Sequence, residues 1–421
     1  MYMNYVFYVK YLHIFVRKCT RSMRIIKNNG ETISLREKVR KVISDNEVPE
    51  SSLAEMLDID RRAFDEFLKE GKDLKFTQAL AIMKFLGMDE KEFIESYELD
   101  LKDNINEDKV EQTEKLAYIF DKFDVNVLKE IGIIKKRSKI EDYEHQLMGF
   151  LGFRSSIYEY DSFAPINTLY SKSKVSIEER KQKKMNEFWI RCSRHSFEQI
   201  NNPFEYDEEL LKLYLPKIHE YTLDPIHGYE KVVLTLFRMG VTVLTQSYIK
   251  GIGAFGASMF INGKPCVVVT DMMKKYHKLW MTLFHELYHI INDRQMLERS
   301  IYHISSESEM SLFFNEEQAD LFACRMLIPY EVSRHLAKVI VSPYRIKRLS
   351  EELVVHPSVV YGVYLENSPK EQKNKEFSKY AGHLIGSEIA TKQIMFSPIQ
   401  TGNLRDAIDD IKEKLYNIRI A

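Results

Sequence analysis

The chain has 421 residues, 44% of them hydrophobic, and its 61 basic and 62 acidic side chains leave a formal net charge of -1. That is enough for two or three domains and at least one substantial core. Cys19, Cys192, Cys266 and Cys324 stand far apart with no CxxC or zinc-finger spacing, which argues against a disulfide scaffold and fits the free thiols of a cytoplasmic protein; no apolar run is long enough to span a membrane.

Residues 1–30 hold six basic side chains and no acidic one (Lys10, Arg17, Lys18, Arg21, Arg24, Lys27). The first 19 residues are apolar and aromatic, but the strong charge follows the apolar run and no small-residue cleavage site is visible, so they do not read as a signal peptide. We set residues 1–33 apart as a basic, aromatic segment without assigned function and expect the functional chain to begin near Met23.

Residues 34–100 read as an all-α domain of five short helices. Leu35, Val39, Val42 and Ile43 mark the first; 51–57 opens with cap-like serines; 61–70 follows Asp60; 77–86 ends at Gly87; 90–97 closes the set. The second and third, joined tightly, suit a helix-turn-helix and resemble Xre-type repressors. Arg61 and Arg62 then stand at the start of the reading helix, where contacts to operator DNA are made. Charge argues against this: residues 31–100 hold 11 basic and 18 acidic side chains, a poor start for neutralising phosphates. A protein-binding or dimerising module is the competing reading.

Residues 101–205 read as a helical linker region, with an amphipathic pattern at Leu116, Phe120, Phe123, Val127 and Leu128 and a polar helix over 176–194 that turns Phe188 and Trp189 inward. A domain over 206–340 follows. Helical signals at 210–218 and 229–239 precede a β-branched strand at 241–245, and Asn262-Gly263 is a tight hairpin turn between 258–261 and 265–270. An edge strand of this small sheet can accept an extended polypeptide.

The chemistry is concentrated in 279–329. Phe284-His285-Glu286-Leu287-Tyr288-His289 contains an HExxH motif. Leu279, Leu283, Phe284, Leu287, Ile290 and Ile291 recur at spacings of three and four, so one face is buried while His285 and His289 project from one neighbouring strip. Two imidazoles one turn apart reach a single zinc ion, with Glu286 placed as the catalytic base. A catalytic zinc takes three protein ligands and keeps an open position. On a second helix, striped by Phe313, Ala319, Phe322, Ala323, Met326 and Leu327 and stopped by Pro329, Glu316 completes a His2Glu set. Asp320, one turn on, accepts the free ring N–H of a ligand histidine, assigned to His285. A buried helix with ordinarily satisfied histidines is the alternative; the independent Glu-x-x-x-Asp weighs against it. Tyr302 and His303, in the connection, are candidates for a second proton donor, but a loop histidine is more often a surface group, and neither is assigned.

Together, Gly253-Ala254-Phe255-Gly256-Ala257-Ser258, Pro265-Cys266-Val267-Val268-Val269, the HExxH stretch from Trp280 and Glu316-x-x-Ala319-Asp320-x-Phe322-Ala323 resemble the ImmA/IrrE family of zinc metallo-endopeptidases, over about residues 210–329. The resemblance implies a mainly α protein with a small β-sheet (α+β): a zincin-like, gluzincin domain behind an all-α helix-turn-helix. It implies bound Zn2+ and cleavage of a repressor or another DNA-binding protein. Tyr288 departs from the family's small residue at this position and is expected to narrow the cleft. The competing reading is a non-catalytic regulator or antitoxin of the HigA type, binding DNA and a toxin partner; retention of Glu286 favours the protease.

Residues 341–421 read as a C-terminal helical region: 344–353 and 358–365 split by His356-Pro357, a lysine-rich linker over 367–379, and an amphipathic helix over 403–418. That last helix can cover the core or pair with a partner, an oligomer included.

Overall fold

The structure is a computed structural model and describes residues 33–101, 107–164, 176–249, 251–300, 302–306 and 314–418. The aromatic, basic segment, apart from its last residue, and Phe313 lie outside them. The chain divides into two compact units, Met1–Ala117 and Tyr118–Ala421. It is mainly helical with one small mixed sheet, the α+β class expected from the sequence.

In the first unit five helices, α1 (Leu35–Asp45), α2 (Glu50–Met56), α3 (Arg61–Glu70), α4 (Phe76–Leu86) and α5 (Glu90–Leu101), enclose a core that includes Leu35, Leu53, Phe64, Phe67, Ile82 and Phe93. Their ends follow from capping. Ser34 and Glu37 form a capping box on α1, and Asp60 accepts hydrogen bonds from the amides of Arg62 and Ala63 at the start of α3. Asp100 of α5 accepts from the amide of Arg36 at 2.9 Å, which ties the first helix to the last. The boundary between the units falls within α6 (Glu107–Lys122).

In the second unit α7 (Val125–Glu130), α8 (Tyr143–Leu151) and α9 (Ile177–Ile200) bring Phe123, Phe150, Tyr160 and Phe188 into one buried aromatic cluster. After α10 (Glu208–Tyr214) and α11 (Gly228–Arg238) the sheet begins. Its strands are β1 (Thr242–Gln246), β2 (Ala254–Ile261), β3 (Lys264–Thr270), β4 (His303–Ser306) and β5 (Met395–Phe396), in the order β4-β2-β3-β1-β5. β2 and β3 are the expected hairpin; Asn262 and Gly263, at φ 53° and 77°, take the left-handed pair of conformations that a type I′ turn requires. β1 runs parallel to β3 and β5, whereas β4 pairs antiparallel with β2 and forms an edge.

Alternation along the strands decides what each face meets. Gly256 and Ser258 of β2, with their register partners on β3 and β4, face α12 (Tyr276–Asn292), which packs across β2 and β3. Gln246 of β1 faces the other way and accepts a hydrogen bond from the Trp189 indole of α9. α13 (Arg294–Ser300) leads to β4, and α14 (Glu316–Leu327) packs alongside α12.

The C-terminal part carries α15 (Pro343–Leu353), α16 (Pro357–Glu366), α17 (Lys370–Tyr380) and α18 (Leu404–Lys414). The expected linker over 367–379 is therefore corrected to a helix. Its polar sequence carries few apolar anchors, and bonds back to α16 hold it: Tyr364 donates to Glu376 at 2.8 Å and Lys373 to Glu366 at 3.0 Å. The terminal amphipathic helix is shorter than the 403–418 expected; it ends at Lys414, and Tyr416 beyond it donates its hydroxyl to the Val243 carbonyl.

Candidate metal centre

α12 buries Leu279, Leu283, Phe284, Leu287 and Ile290 in one stripe, and the neighbouring strip carries His285 and His289 into the interior, 8% and 0% exposed. Glu316 is the first residue of α14, whose N-cap Asn315 accepts from the Gln318 amide at 3.1 Å. A carboxylate in that first turn is favoured by the helix dipole. Because α14 packs beside α12, the three groups meet. The two Nε2 atoms lie 3.2 Å apart; Glu316 Oε2 is 3.3 Å from that of His285 and Glu316 Oε1 3.7 Å from that of His289.

The rings are oriented from behind. His285 Nδ1 stands 2.8 Å from Asp320 Oδ1, and His289 Nδ1 2.7 Å from Asp293 Oδ2. A ring that donates its Nδ1–H to a carboxylate turns a bare Nε2 lone pair forward. Two such lone pairs and a carboxylate then converge on one point, an arrangement that repels itself unless a cation or a proton is shared there. Burial opposes charging His285, but Asp320 and Glu316 outweigh it and lift its pKa to about 10. Burial likewise pushes Glu316 up, yet His285 and His303 hold it well below the usual carboxylate range. In the metal-free cluster a proton on His285 balances the Glu316 carboxylate.

A fourth residue completes it. His303, on β4 and 5% exposed, brings its Nε2 to 2.9 Å from Glu316 Oε1. His285, His289, His303 and Glu316 each offer one ligand atom, all within 4.8 Å of one another. Donors about 2.0–2.1 Å from one ion at tetrahedral corners stand roughly 3.3 Å apart. The contacts of 2.9 to 3.7 Å bracket that spacing, so a buried His3Glu cluster able to hold a metal ion is present.

Glu286 lies beside the cluster, fully buried. Its Oε2 accepts from the Ser258 hydroxyl at 2.6 Å, while Oε1 has no hydrogen-bond partner among the described residues. Gly256 makes room for it: a Cβ there would stand 2.4 Å from Oε1. Tyr288 packs its ring 5.4 Å from Phe322 and 5.6 Å from His289.

The structure thus brings together His285, His289, Glu316, Asp320 and Glu286. Arg61 and Arg62 lie in the other unit at the exposed start of α3, where Arg62 is bound to Glu66 at 2.9 Å. Sequence reasoning passed over Asp293 and Ser258 and set His303 aside as a surface histidine of a loop, whereas it is buried on β4. Asp293 was findable, being one helical turn after His289; Ser258 and His303 become neighbours only through strand register. No protein-family model matches the chain, and no curated protein is significantly similar to it. No helix among the described residues is long and apolar enough to cross a membrane.

Proposed function

We propose that the second unit is a zinc-dependent endopeptidase of the ImmA/IrrE type with a zincin-like fold, and that it regulates transcription by cutting a repressor or another DNA-binding protein. The observation that carries this reading is the convergence of His285 Nε2, His289 Nε2 and Glu316 on one point, with the Glu286 carboxylate on the same helix. His285, His289 and Glu316 hold the ion, while Asp320 and Asp293 fix the ring tautomers. When bound, zinc polarises the scissile carbonyl and lowers the pKa of water toward about 7. Glu286 takes the proton of the attacking water and delivers it to the leaving amine; Ser258 holds the carboxylate in position. A binding scaffold has no use for a buried carboxylate left half unpartnered, which favours catalysis over the antitoxin reading. The first unit, with α2 and α3 as an Xre-like helix-turn-helix, directs the protein to operator DNA through Arg61 and Arg62.

The test is metal content of the full chain beside Glu316→Ala and Glu286→Gln. One zinc per chain, lost in the first variant and kept in the second, is expected, with the Glu286→Gln protein retaining uncut substrate when used as a trap. A wild-type protein that takes up no metal when zinc is supplied overturns the reading. DNA binding by the first unit should weaken with salt and on Arg61→Ala/Arg62→Ala.

A further inference from the structure

We propose that His303 is a fourth protein ligand which closes the metal site in the substrate-free protein, so that a substrate gains access only when His303 withdraws. This rests on the metallopeptidase reading and adds a self-blocking residue to it.

The placement of the ring nitrogen carries the argument. Asp320 and Asp293 stand behind the ligand rings, on their Nδ1 atoms. His303 instead brings its own Nε2 to the front, among the atoms that would touch the ion. A residue that only oriented Glu316 would donate a well-directed hydrogen bond to it. Here the separation is 2.9 Å, yet Glu316 Oε1 is buried without a hydrogen-bond partner among the described residues. Both groups stand among the four donors that lie within 4.8 Å of one another. The competing partner of His303 Nε2 is the Ser305 hydroxyl, at a long 3.3 Å.

The ring is also held in place. β4 pairs His303 with Ser258, so both side chains face α12, and the Phe314 ring stacks on the imidazole at 4.2 Å. Four protein donors define a closed metal site, whereas hydrolysis needs an open position. Glu286, the candidate base, nonetheless lies alongside. Both observations are met if His303 is a removable ligand. Its strand suits that role: β4 has four residues and, among the described residues, is bonded through the ladder to β2 alone, at the sheet edge, so moving it breaks one ladder.

The experiment uses the full chain loaded with Co2+. In the wild type, proton NMR should show three paramagnetically shifted, exchangeable imidazole N–H signals. Acetohydroxamic acid, followed by the visible Co2+ spectrum, should bind at least ten-fold more tightly to His303→Ala than to wild type, because the substitution frees a coordination position. His303→Ala should still take up one metal ion per chain, held by His285, His289 and Glu316. Two imidazole signals in the wild type, or hydroxamate binding that is unchanged or weaker in His303→Ala, overturns the proposal and leaves the peptidase reading standing. A wild type that binds no Co2+ or Zn2+ overturns both. The signal count needs no variant, so it decides the matter even if His303→Ala does not fold; His303→Gln serves as the second variant for the hydroxamate titration.

Discussion

The two carboxylates behind the ligand rings make nearly equal contacts, 2.7 Å for Asp293 and 2.8 Å for Asp320, yet they should contribute unequally to metal affinity. The Asp293 side chain is 18% exposed against a ring that is 0% exposed, whereas that of Asp320 is 72% exposed. Removing Asp293 as Asp293→Ala strands the His289 Nδ1–H where water cannot reach it, a loss of about 1–3 kcal/mol. If the whole of that loss falls on the metal-bound form, affinity drops by roughly 10–100-fold. At Asp320 water takes over the acceptor role, and the contribution shrinks to that of an exposed pair, about 0–1 kcal/mol or at most roughly five-fold. Asp293→Asn keeps an acceptor oxygen and should recover most of the loss. Competition with a chromophoric chelator, on protein whose metal-free melting is checked in parallel, measures all three variants. Equal losses for Asp293→Ala and Asp320→Ala, or a larger loss for the latter, would refute the view that solvent access decides the value of these partners.

Other outcomes follow from the same packing. Glu286→Gln should keep the metal and lose no thermal stability, since Glu286 is outside the ligand cluster and its Oε1 already lacks a hydrogen bond among the described residues; a clear fall in melting temperature would contradict this. Gly256→Ala places a Cβ 2.4 Å from Glu286 Oε1 and 2.8 Å from the Val268 carbonyl, so denaturant titration should show a loss of about 1–3 kcal/mol from overpacking. Glu366 receives Lys278 at 2.8 Å and Lys373 at 3.0 Å, with His277 at 3.7 Å. Burial raises its pKa, but these partners hold it well below the carboxylate range. A depressed folded pKa gives stability that is present above the unfolded value of about 4.3 and lost as pH falls below it. Glu366→Gln should therefore cost about 2 kcal/mol at pH 7, discounted for the half-exposed Lys373, and acid titration of stability should lose part of its slope below about pH 4.

The helical half of the candidate site was readable because helix geometry is a fixed function of sequence distance. His285 and His289 four apart, and Glu316 and Asp320 four apart, are each committed to one strip as soon as their helices form. The same rule made Asp293 available, one turn beyond His289 on the strip that carries it; it was passed over because only one ring was given a carboxylate behind it. The sheet half obeys a rule that sequence does not display. Ser258 and His303 are 45 residues apart in number, and they face α12 together only because β4 pairs with β2 in one register. A slip of one residue would turn His303 away from the cluster and leave a three-ligand site. The polar helix α17 was missed for a different reason: it lacks the apolar stripe that signals a helix, and its bonds to α16 exist only in the fold.

That dependence on register gives the edge strand its importance. On the proposed reading the holding ligands belong to α12 and α14, which pack side by side and are fixed by buried side chains. Access on that reading belongs to β4, which has four residues and, among the described residues, pairs with one neighbour. A site whose holding ligands sit on its firm elements and whose closing ligand sits on its weakest strand can keep its ion while the cleft opens. If His303 were instead a permanent structural ligand, the same geometry would call for β4 to be anchored as firmly as α12, by pairing on both edges, and among the described residues it is not.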